Sequence, residues 1–361
     1  MFRRVICCLF ALVLLSEITS QTLAVSTSAQ CVALIEQRSG RILYESNANE
    51  ERLIASITKI MTALVAIEHG NLNEVYTVTS RDMAEGSSMY LQIGDQLTLE
   101  ELLYGLMLVS GNDAALAVAH CVSGEIEDFV ALMNQTACAL GMTHSSFANP
   151  NGLDAECHYS SAYDMARLTA YALENETFRK IVATEYITIG DRYLKNHNKL
   201  LTLCEGCIGV KTGFTKAAGR TLVSAAARDG MMLVCVTLKD SNDWNDHLAL
   251  FDYGFNTYRM ETLLTSGQKL AQTMVCGGMK SAVMLVAARE LAYPVKDGEN
   301  LVVKVFTPTV VNAPIAVGDV LGTACAYLDG VEVASVDLVA LEAVAPKVNE
   351  MQKGFLQRLF Q

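Results

Sequence analysis

The chain has 361 residues, and 51% of them are hydrophobic, which is enough for a substantial core and about two domains. Its 39 acidic and 27 basic residues give a net charge of −12. The basic residues form no cluster, so the composition argues against a nucleic-acid partner, which would need a basic surface.

The first 24 residues have the pattern of a secretory signal. Arg3 and Arg4 precede an apolar run from Val5 to Leu15, and Ala24 ends a small-residue cleavage site. The run is shorter than the roughly 20 residues that a spanning helix needs, and no later run in the sequence approaches that length. An uncleaved anchor is the alternative. We therefore predict export to the cell wall or to the outer face of the cytoplasmic membrane.

A β-hairpin followed by a helix is predicted after the signal. The strand-like segments 31–35 and 42–44 flank a turn. The helix has apolar residues at the spacing of a buried stripe, namely Ile57, Ile60, Met61 and Leu64. Ser56 and Lys59 lie one turn apart at its start, so their side chains project from one face. A serine becomes a nucleophile when a base takes its proton, and a lysine can be that base if burial or a second cation lowers its pKa.

Ser-x-x-Lys also occurs by chance, and by itself a solvated helix start is the simpler interpretation. A second motif lies between two predicted helices. Thr98 and Glu101 have the spacing of a capping box and predict the start of the first helix. Ser110-Gly111-Asn112 then precedes an alanine-rich helix. The glycine predicts a sharp turn that holds the two polar side chains toward a cleft.

An antiparallel meander is predicted in the second half of the chain. It consists of three strand-like runs: 208–215, 220–227 and 231–238. The dipeptide Asp229-Gly230 between the last two is typical of a hairpin. Lys211-Thr212-Gly213 lies on the first run, where glycine lets a ligand approach the backbone closely.

Beyond about residue 260 the sequence consists of short strand-like segments, as at 283–286, at 301–306 and on both sides of Asp329-Gly330. Nothing there indicates chemistry, so a spacer or an interaction module is the simplest interpretation. From Val348 onward, apolar residues fall on one helical face, which is typical of a short amphipathic helix with weak membrane affinity. A frayed end is the alternative.

Cysteine and histidine give no support for a metal site. Cys7 and Cys8 lie in the signal, which leaves nine of the eleven cysteines, and an odd number cannot all pair. Cys204-x-x-Cys207 fits a redox motif or half of a metal site, but no second pair accompanies it, and buried small thiols are the simpler interpretation. His197 is interpreted as a loop or structural residue. We predict no metal and no cofactor.

Together the three motifs, Ser56-x-x-Lys59, Ser110-Gly111-Asn112 and Lys211-Thr212-Gly213, resemble those of penicillin-binding proteins and serine β-lactamases. Flanking segments make the sequence similar to the low-molecular-mass D-alanyl-D-alanine carboxypeptidases: 53–62, 86–89, 149–153 and 209–213. This resemblance covers essentially the whole chain after the signal.

The resemblance implies an α/β (α+β), β-lactamase/transpeptidase-like domain, with a central antiparallel sheet flanked by helices, and a small C-terminal all-β domain. The chain would then divide into a signal peptide (1–24), a serine D,D-peptidase domain (25–262), a β-rich domain (263–347) and the amphipathic tail (348–361). It would act in peptidoglycan and cell-wall biogenesis.

The resemblance also implies roles for the first two motifs. Ser56 would attack the carbonyl between the two terminal D-alanines of a peptidoglycan stem peptide and form an acyl-enzyme, with Lys59 as its base. Ser110 would bridge Lys59 and Lys211 and relay the proton to the departing amine. Asn112 would hold the peptide amide or orient Lys59. β-Lactam antibiotics would inhibit the enzyme, because the ring imitates the terminal dipeptide.

Substrate binding is implied for the third motif. Lys211, Thr212 and Gly213 would line the substrate site, with the cation and the hydroxyl on the terminal carboxylate. The backbone N–H groups of Ser56 and Phe214 would form the oxyanion hole.

Two other functions stay open on the sequence alone. A β-lactamase shares all three motifs but needs a positioned base, such as a carboxylate between the second and third motifs. Asp154 and Glu156 lie there, although within a segment that resembles the carboxypeptidases. A non-catalytic wall-binding protein would keep the fold without turnover, and the intact motifs argue against it.

Overall fold

A computed structural model of the protein describes residues 25–347. The predicted signal peptide (1–24) and the predicted amphipathic tail (348–361) lie outside the described residues. Within 25–347, no helix has both the length and the apolar character needed to cross a membrane.

The described part of the chain contains strands, α-helices and two 3₁₀ turns, at Ala55–Thr58 and Ser80–Asp82. The strands are β1 (Cys31–Glu36), β2 (Ile42–Ser46), β3 (Val75–Thr77), β4 (Gln96–Thr98), β5 (Tyr186–Ile189), β6 (Arg192–Lys195), β7 (Cys207–Thr215), β8 (Gly219–Arg228), β9 (Met231–Leu238), β10 (Tyr258–Leu264), β11 (Lys269–Cys276), β12 (Ala282–Ala287), β13 (Leu291–Lys296), β14 (Leu301–Phe306), β15 (Val310–Asn312), β16 (Val320–Leu328) and β17 (Val331–Ala340). The helices are α1 (Lys59–His69), α2 (Leu99–Leu108), α3 (Asn112–Ser123), α4 (Ile126–Ala139), α5 (Ala162–Ala172), α6 (Glu176–Val182), α7 (Leu200–Leu203) and α8 (Asp243–Thr257).

A five-stranded antiparallel sheet forms the centre of the larger domain, in the order β2-β1-β9-β8-β7. Both of its faces are covered. Along β1, Cys31, Ala33 and Ile35 pack against the cluster that contains helices α1 to α5. Val32 and Leu34 point the other way and pack with α8. This alternation is the period of two expected for a strand, and the predicted helix-flanked antiparallel sheet is confirmed.

The predicted hairpin and meander are both present. β1 pairs with β2, and β7, β8 and β9 pair in sequence. Between β8 and β9, Asp229 and Gly230 have φ of 48° and 79°. Two successive left-handed residues are what a two-residue hairpin turn requires, so the local sequence determines this turn.

The two helix starts needed for the site follow their sequence signals. Thr98 Oγ1 accepts a hydrogen bond from Glu101 N at 3.2 Å, and the Glu101 carboxylate accepts one from Thr98 N at 2.8 Å, so the capping box of α2 is confirmed. The predicted stripe of α1, including Ile60 and Leu64, is buried. Its first turn is 3₁₀ rather than α, and Gly70 caps its end.

The C-terminal part is all β, as predicted. A six-stranded sheet has the order β14-β16-β17-β12-β11-β15, and β10 pairs with β13. The predicted division between residues 262 and 263 falls within β10. Arg41 joins the two parts: its guanidinium lies between the rings of Tyr258 and Tyr293, 5.1 and 5.3 Å from their centroids, and pairs with Glu299.

Candidate active site

Ser56 sits on the 3₁₀ turn at the entrance to α1, and glycines bring two other segments against this turn. A Cβ on Gly213 of β7 would lie 3.0 Å from Ser56 N, and one on Gly152 would lie 2.1 Å from the Ala55 carbonyl oxygen. Ala55 itself has a left-handed φ of 51°. Any larger residue at either glycine would push the strand or the loop away from the serine.

Lys59 is fully buried beneath Ser56 and has three oxygen neighbours. Its Nζ lies 3.0 Å from Ser56 Oγ, 2.8 Å from Asn112 Oδ1 and 2.6 Å from the Asn151 carbonyl oxygen. No carboxylate is among these contacts. Burial and then the nearby charge of Lys211 lower the pKa of Lys59 well below its usual value, and Asp113 opposes this in part.

Asn112 is held by hydrogen bonds at both ends of its amide. Its Nδ2 donates to the Glu85 carbonyl at 2.7 Å, so Oδ1 is the end that faces Lys59. Its backbone N donates to the Ser87 carbonyl at 2.7 Å. Of the two roles considered for Asn112, this geometry favours orienting the lysine.

The sharp turn predicted before α3 is present, but its left-handed residue is Ser110, with φ 62°, and not Gly111, with φ −56°. The glycine is needed for space instead, because a Cβ there would lie 2.7 Å from Asp113 Oδ1 and 3.1 Å from Met89 N. Ser110 lines the cleft beside Ser56. In the part of the chain that the structure describes, its hydroxyl makes no hydrogen bond with Lys59 or Lys211.

Lys211 lies on β7 and is 1% exposed. Its Nζ donates to the Thr212 carbonyl at 2.9 Å, and burial lowers its pKa to about 7. Thr212, Gly213 and Phe214 line the cleft, and the Phe214 ring is exposed. Because β7 is the outer strand of the central sheet, one edge of its backbone faces the serine rather than another strand.

The cleft above Ser56 has a volume of about 460 Å³. Its lining residues come from two parts of the fold. Ser56 and the loop residues Ser87, Ser110 and His197 form one group, and residues of β7, β8 and α8 form the other: Thr212, Gly213, Phe214, Arg220, Asp243 and Trp244. The structure therefore brings the three sequence motifs together. It also adds residues that the sequence reasoning did not place in the site.

Arg220 and Asp243 form the charged wall of this cleft. Arg220 Nε and Nη2 donate to the two carboxylate oxygens at 3.0 and 2.7 Å, and its guanidinium lies 5.8 Å from the Trp244 ring centroid. No short motif marks these residues, since they begin β8 and α8 and meet only through the fold. His197, interpreted as a loop residue, precedes α7 and lines the cleft. The Asn151 carbonyl is a further site group, and the resemblance of segment 149–153 to the carboxypeptidases was a signal for it.

His158 supports the loop that supplies the Asn151 carbonyl. Its Nδ1 accepts a hydrogen bond from Ala148 N at 3.0 Å, so its Nε2 donates to Thr58 Oγ1 at 2.8 Å. Burial lowers its pKa to about 4. The ring thus stays neutral at physiological pH and links the loop to the turn that carries Ser56.

The structure shows no grouping of three or more metal-ligating side chains within residues 25–347. The nine cysteines of that range are all free thiols, including Cys204 and Cys207. Burial raises the pKa of the Cys207 thiol to about 11, so this pair lacks the acidity of a redox dithiol.

Comparison with protein families gives two matches along the chain. A family model described as D-alanyl-D-alanine carboxypeptidase matches residues 17–242. A second, described as the C-terminal domain of penicillin-binding protein 5, matches residues 258–346.

Individual relatives match along nearly the full length. The D-alanyl-D-alanine carboxypeptidase DacF of Bacillus subtilis is 33% identical, with 93% of this chain and 89% of the relative covered. DacC of Escherichia coli, which carries the same activity name, is 32% identical, with 93% and 88% covered. The crystal structure of penicillin-binding protein 5 from Haemophilus influenzae superimposes with a TM-score of 0.77 at 29% identity, with 89% and 98% covered.

Proposed function

Since the chain belongs to the D-alanyl-D-alanine carboxypeptidase family, we propose that Ser56 is its nucleophile and Lys59 the base that activates it. The protein is a serine-type D-Ala-D-Ala carboxypeptidase and a penicillin-binding protein that acts on peptidoglycan. The roles of individual residues are inferred from the geometry of the cleft.

The observation that carries this proposal is the set of contacts around Lys59. A neutral amine has two N–H donors and one lone pair. The side-chain Oδ1 of Asn112 and the backbone carbonyl oxygen of Asn151 accept the two donors, at 2.8 and 2.6 Å. The lone pair is then left for the Ser56 hydroxyl, 3.0 Å away, which donates its proton as Oγ attacks. Because the pKa of Lys59 is well below its usual value, the neutral form needed for this step is available.

Ser110 is proposed to pass the proton on to the departing amine of the terminal D-alanine. It lies at the cleft surface, and its hydroxyl is committed to neither lysine, so it is free to rotate between them and the substrate. Water then attacks the acyl-enzyme carbonyl, Lys59 takes the proton from that water, and Ser56 leaves as the free hydroxyl. Each proton taken up in acylation or deacylation is returned within the cycle.

The oxyanion is proposed to bind the backbone N–H groups of Ser56 and Phe214. The close approach of Gly213, the chain neighbour of Phe214, to Ser56 N supports this proposal. Removing one such donor typically costs about 10²–10³ in rate, so a substitution that displaces β7 from the turn should cost a similar amount.

The terminal carboxylate is proposed to bind at Lys211, Thr212 and Gly213, with Arg220 as an added cation. Of the described residues that line the cleft, Arg220 is the only permanent cation, and its pair with Asp243 leaves Nη1 without an intramolecular acceptor within 25–347. Lys211 lies just beneath the surface with a pKa of about 7, and an arriving carboxylate favours its charged form.

A β-lactamase would need a base ready to hydrolyse the penicilloyl ester quickly. The Asp154 carboxylate is already engaged, since Thr215 Oγ1 donates to it at 2.9 Å at the end of β7. We expect labelled penicillin to attach to Ser56 and to remain for minutes or longer. Peptide mapping by mass spectrometry would locate the label, and its loss within seconds would favour the β-lactamase.

The direct test is release of D-alanine from diacetyl-L-Lys-D-Ala-D-Ala. Wild type should release it and Ser56→Ala should not, while Ser39→Ala, a change at a half-buried serine of the β1-β2 turn outside the cleft, should behave as wild type. If wild type and Ser56→Ala are both active, or both inactive, Ser56 does not have the proposed role.

Because peptidoglycan is its substrate, the enzyme acts outside the cytoplasm. More specifically, export through the signal at 1–24 and peripheral attachment to the outer face of the cytoplasmic membrane through 348–361 are part of the proposal, as is the division into domains 25–262 and 263–347. Cell fractionation with and without the segment from Val348 onward tests the attachment: if the truncated enzyme stays in the membrane fraction, the tail is not the anchor.

A further inference from the structure

A second groove adjoins the catalytic cleft and takes no part in the reaction described above. Its volume is about 320 Å³, and Ser88, Tyr90, Gln92, Val109, Arg192 and Tyr193 are among its lining residues. We call it the tyrosine groove, after Tyr90 and Tyr193. The cleft and the tyrosine groove share a wall, because Ser87 and Ser110 line the cleft whereas their chain neighbours Ser88 and Val109 line the groove. A substrate that leaves the cleft across this wall enters the groove directly.

Two unusually exposed tyrosines, Tyr90 and Tyr193, line the groove, and a third, Tyr186, stacks on Tyr193. Tyr90 is 79% exposed, and Tyr186 and Tyr193 are each 62% exposed. Tyr186 and Tyr193 stack on each other across the β5-β6 hairpin, with ring centroids 5.9 Å apart. The opposite face of that hairpin is anchored in the core by Ile189 and Leu194. The anchored hairpin therefore holds the two rings in fixed positions at the surface, as expected for a binding surface.

Tyr90 is held in place against backbone strain. Its φ is 63°, a left-handed value that is uncommon for an aromatic residue. Its N donates to Ser88 Oγ at 2.7 Å, and Ser88 Oγ donates to the Asp113 carboxylate at 2.6 Å. Arg192 Nε donates to the Tyr90 carbonyl at 3.3 Å and its guanidinium pairs with Asp95. Strain maintained by several contacts is typical of functional sites.

The orientation of the stem peptide in the cleft indicates which part of the substrate could reach the tyrosine groove. Lys211 and Arg220 belong to β7 and β8, so the terminal carboxylate of the stem peptide is proposed to bind at these strands. The segments of Ser87 and Ser110 line both hollows, so we place the rest of the peptide along them, toward the tyrosine groove. Stem peptides in peptidoglycan are attached at that end to a glycan strand. Sugar rings have apolar faces that stack on aromatic rings and polar groups that hydrogen-bond to side chains such as Gln92.

We propose that the tyrosine groove binds the sugars of the glycan strand, so that the enzyme prefers stem peptides attached to glycan over free ones. The inference rests on the proposed orientation of the substrate on Ser56. An aromatic contact contributes about 0.5–1.5 kcal/mol, which corresponds to a preference of roughly three- to tenfold for each ring that stacks.

The test compares kcat/KM for three substrates: diacetyl-L-Lys-D-Ala-D-Ala, a free pentapeptide and the same pentapeptide joined to its disaccharide. Wild type should favour the disaccharide form over the free pentapeptide, through KM, by about three- to tenfold for each ring that stacks. The double variant Tyr90→Asn/Tyr193→Thr should lose this preference and turn over the diacetyl tripeptide as wild type does. Asparagine tolerates the left-handed backbone and threonine suits a strand, so the fold is preserved.

Two controls make the result specific. Tyr90→Phe/Tyr193→Phe keeps the stacking rings and should keep the preference. Tyr171→Ala, at a partly exposed tyrosine of α5 that lies in neither hollow, should also keep it.

A wild type without preference for the disaccharide form, or a double variant that keeps it, would overturn the proposal. A double variant that loses only a preference for free pentapeptide over tripeptide would also overturn it, because the groove would then bind peptide. Failure of wild type to turn over the diacetyl tripeptide would instead contradict the proposed function of the cleft.

Discussion

Two basic side chains of this protein, the partly buried Arg41 and the fully buried Lys59, differ in their surroundings, and the difference separates a structural charge from a proposed catalytic base. At the junction of the two parts of the chain, Arg41 has the Glu299 carboxylate and two tyrosine rings as neighbours. Burial works against the Arg41 charge, but Glu299 outweighs it and raises the pKa. Lys59 has carbonyl oxygens, a hydroxyl and a second lysine nearby, and its pKa is lowered.

The comparison shows that burial alone does not decide the charge of a basic side chain. A carboxylate within hydrogen-bond distance compensates the cost of desolvation and keeps the cation. Amide and hydroxyl oxygens satisfy N–H donors without supplying a negative charge, so a lysine among them can lose its proton. Arginine cannot be used in this way, because its pKa is too high.

The largest expected effect comes from making Lys59 resemble Arg41. In Lys59→Arg the side chain keeps its charge and cannot accept the Ser56 proton, so kcat/KM should fall by about 10³-fold or more. Release of D-alanine from the diacetyl tripeptide measures this. The matched control is Lys180→Arg, at an exposed lysine of α6 paired with Glu100, which should retain full activity. Near-normal activity of Lys59→Arg would show that another group is the base.

The converse change removes the cation from the junction. In Arg41→Met the Glu299 carboxylate is left largely buried without its partner, so the free energy of unfolding should fall by about 2–4 kcal/mol. Thermal melting measures the loss, and turnover of the diacetyl tripeptide should stay within about twofold, since the cleft is formed by other elements. Glu299→Gln in the Arg41→Met background should restore part of the stability. An unchanged melting temperature would mean that the pair does not join the two parts.

The sequence could predict those elements and motifs that depend on neighbouring residues. The elements around the motifs follow from local chemistry: the capping box at Thr98, the Asp229-Gly230 hairpin and the alternation of β1 each determine their own geometry. The family and fold predicted from the three motifs were confirmed. They could be predicted because each motif is a short run of neighbouring residues and the three keep their order along the chain. The residue roles inferred for the motifs stay predictions.

The rest depends on contacts between distant segments. Arg220 and Asp243 are 23 positions apart and meet only because β8 and α8 begin at the same wall of the cleft. The Asn151 oxygen that faces Lys59 belongs to the backbone, so its residue type carries no signal. The sharp turn before α3 was predicted from Gly111, but the left-handed residue of that turn is Ser110, and the glycine is required instead for close packing against Asp113. These contacts form only when the chain is folded, and no local sequence pattern marks them.

A negative charge beside Lys59 should move this lysine toward the behaviour of Arg41. Asn112→Asp would put a carboxylate 2.8 Å from Nζ and raise the pKa of Lys59. Activity requires the neutral lysine, so the acidic limb of the kcat/KM profile should move to higher pH by about one unit, with about a tenfold loss at pH values below it. Asn112→Ala removes the same hydrogen bond without adding charge and should not move the limb upward. A limb that stays in place in Asn112→Asp would mean that Lys59 is not the group that titrates.

The smallest effect concerns a buried base with no catalytic partner. His247 is fully buried, with Nε2 2.9 Å from Thr237 Oγ1 and Nδ1 bonded to Ser224, and burial lowers its pKa to about 3. The unfolded chain takes up this proton near pH 6.5, whereas the folded chain does not. The stabilisation is thus fully present above pH 6.5 and is lost as the pH falls toward 3, by up to about 1.4 kcal/mol per pH unit for this group. His247→Gln should therefore show a shallower loss of stability between pH 6.5 and 5 than wild type in urea unfolding, while an equally steep loss would place the pH dependence elsewhere. Like Lys59, His247 is buried with no carboxylate in hydrogen-bond contact, but only Lys59 lies beneath a cleft that a substrate can enter.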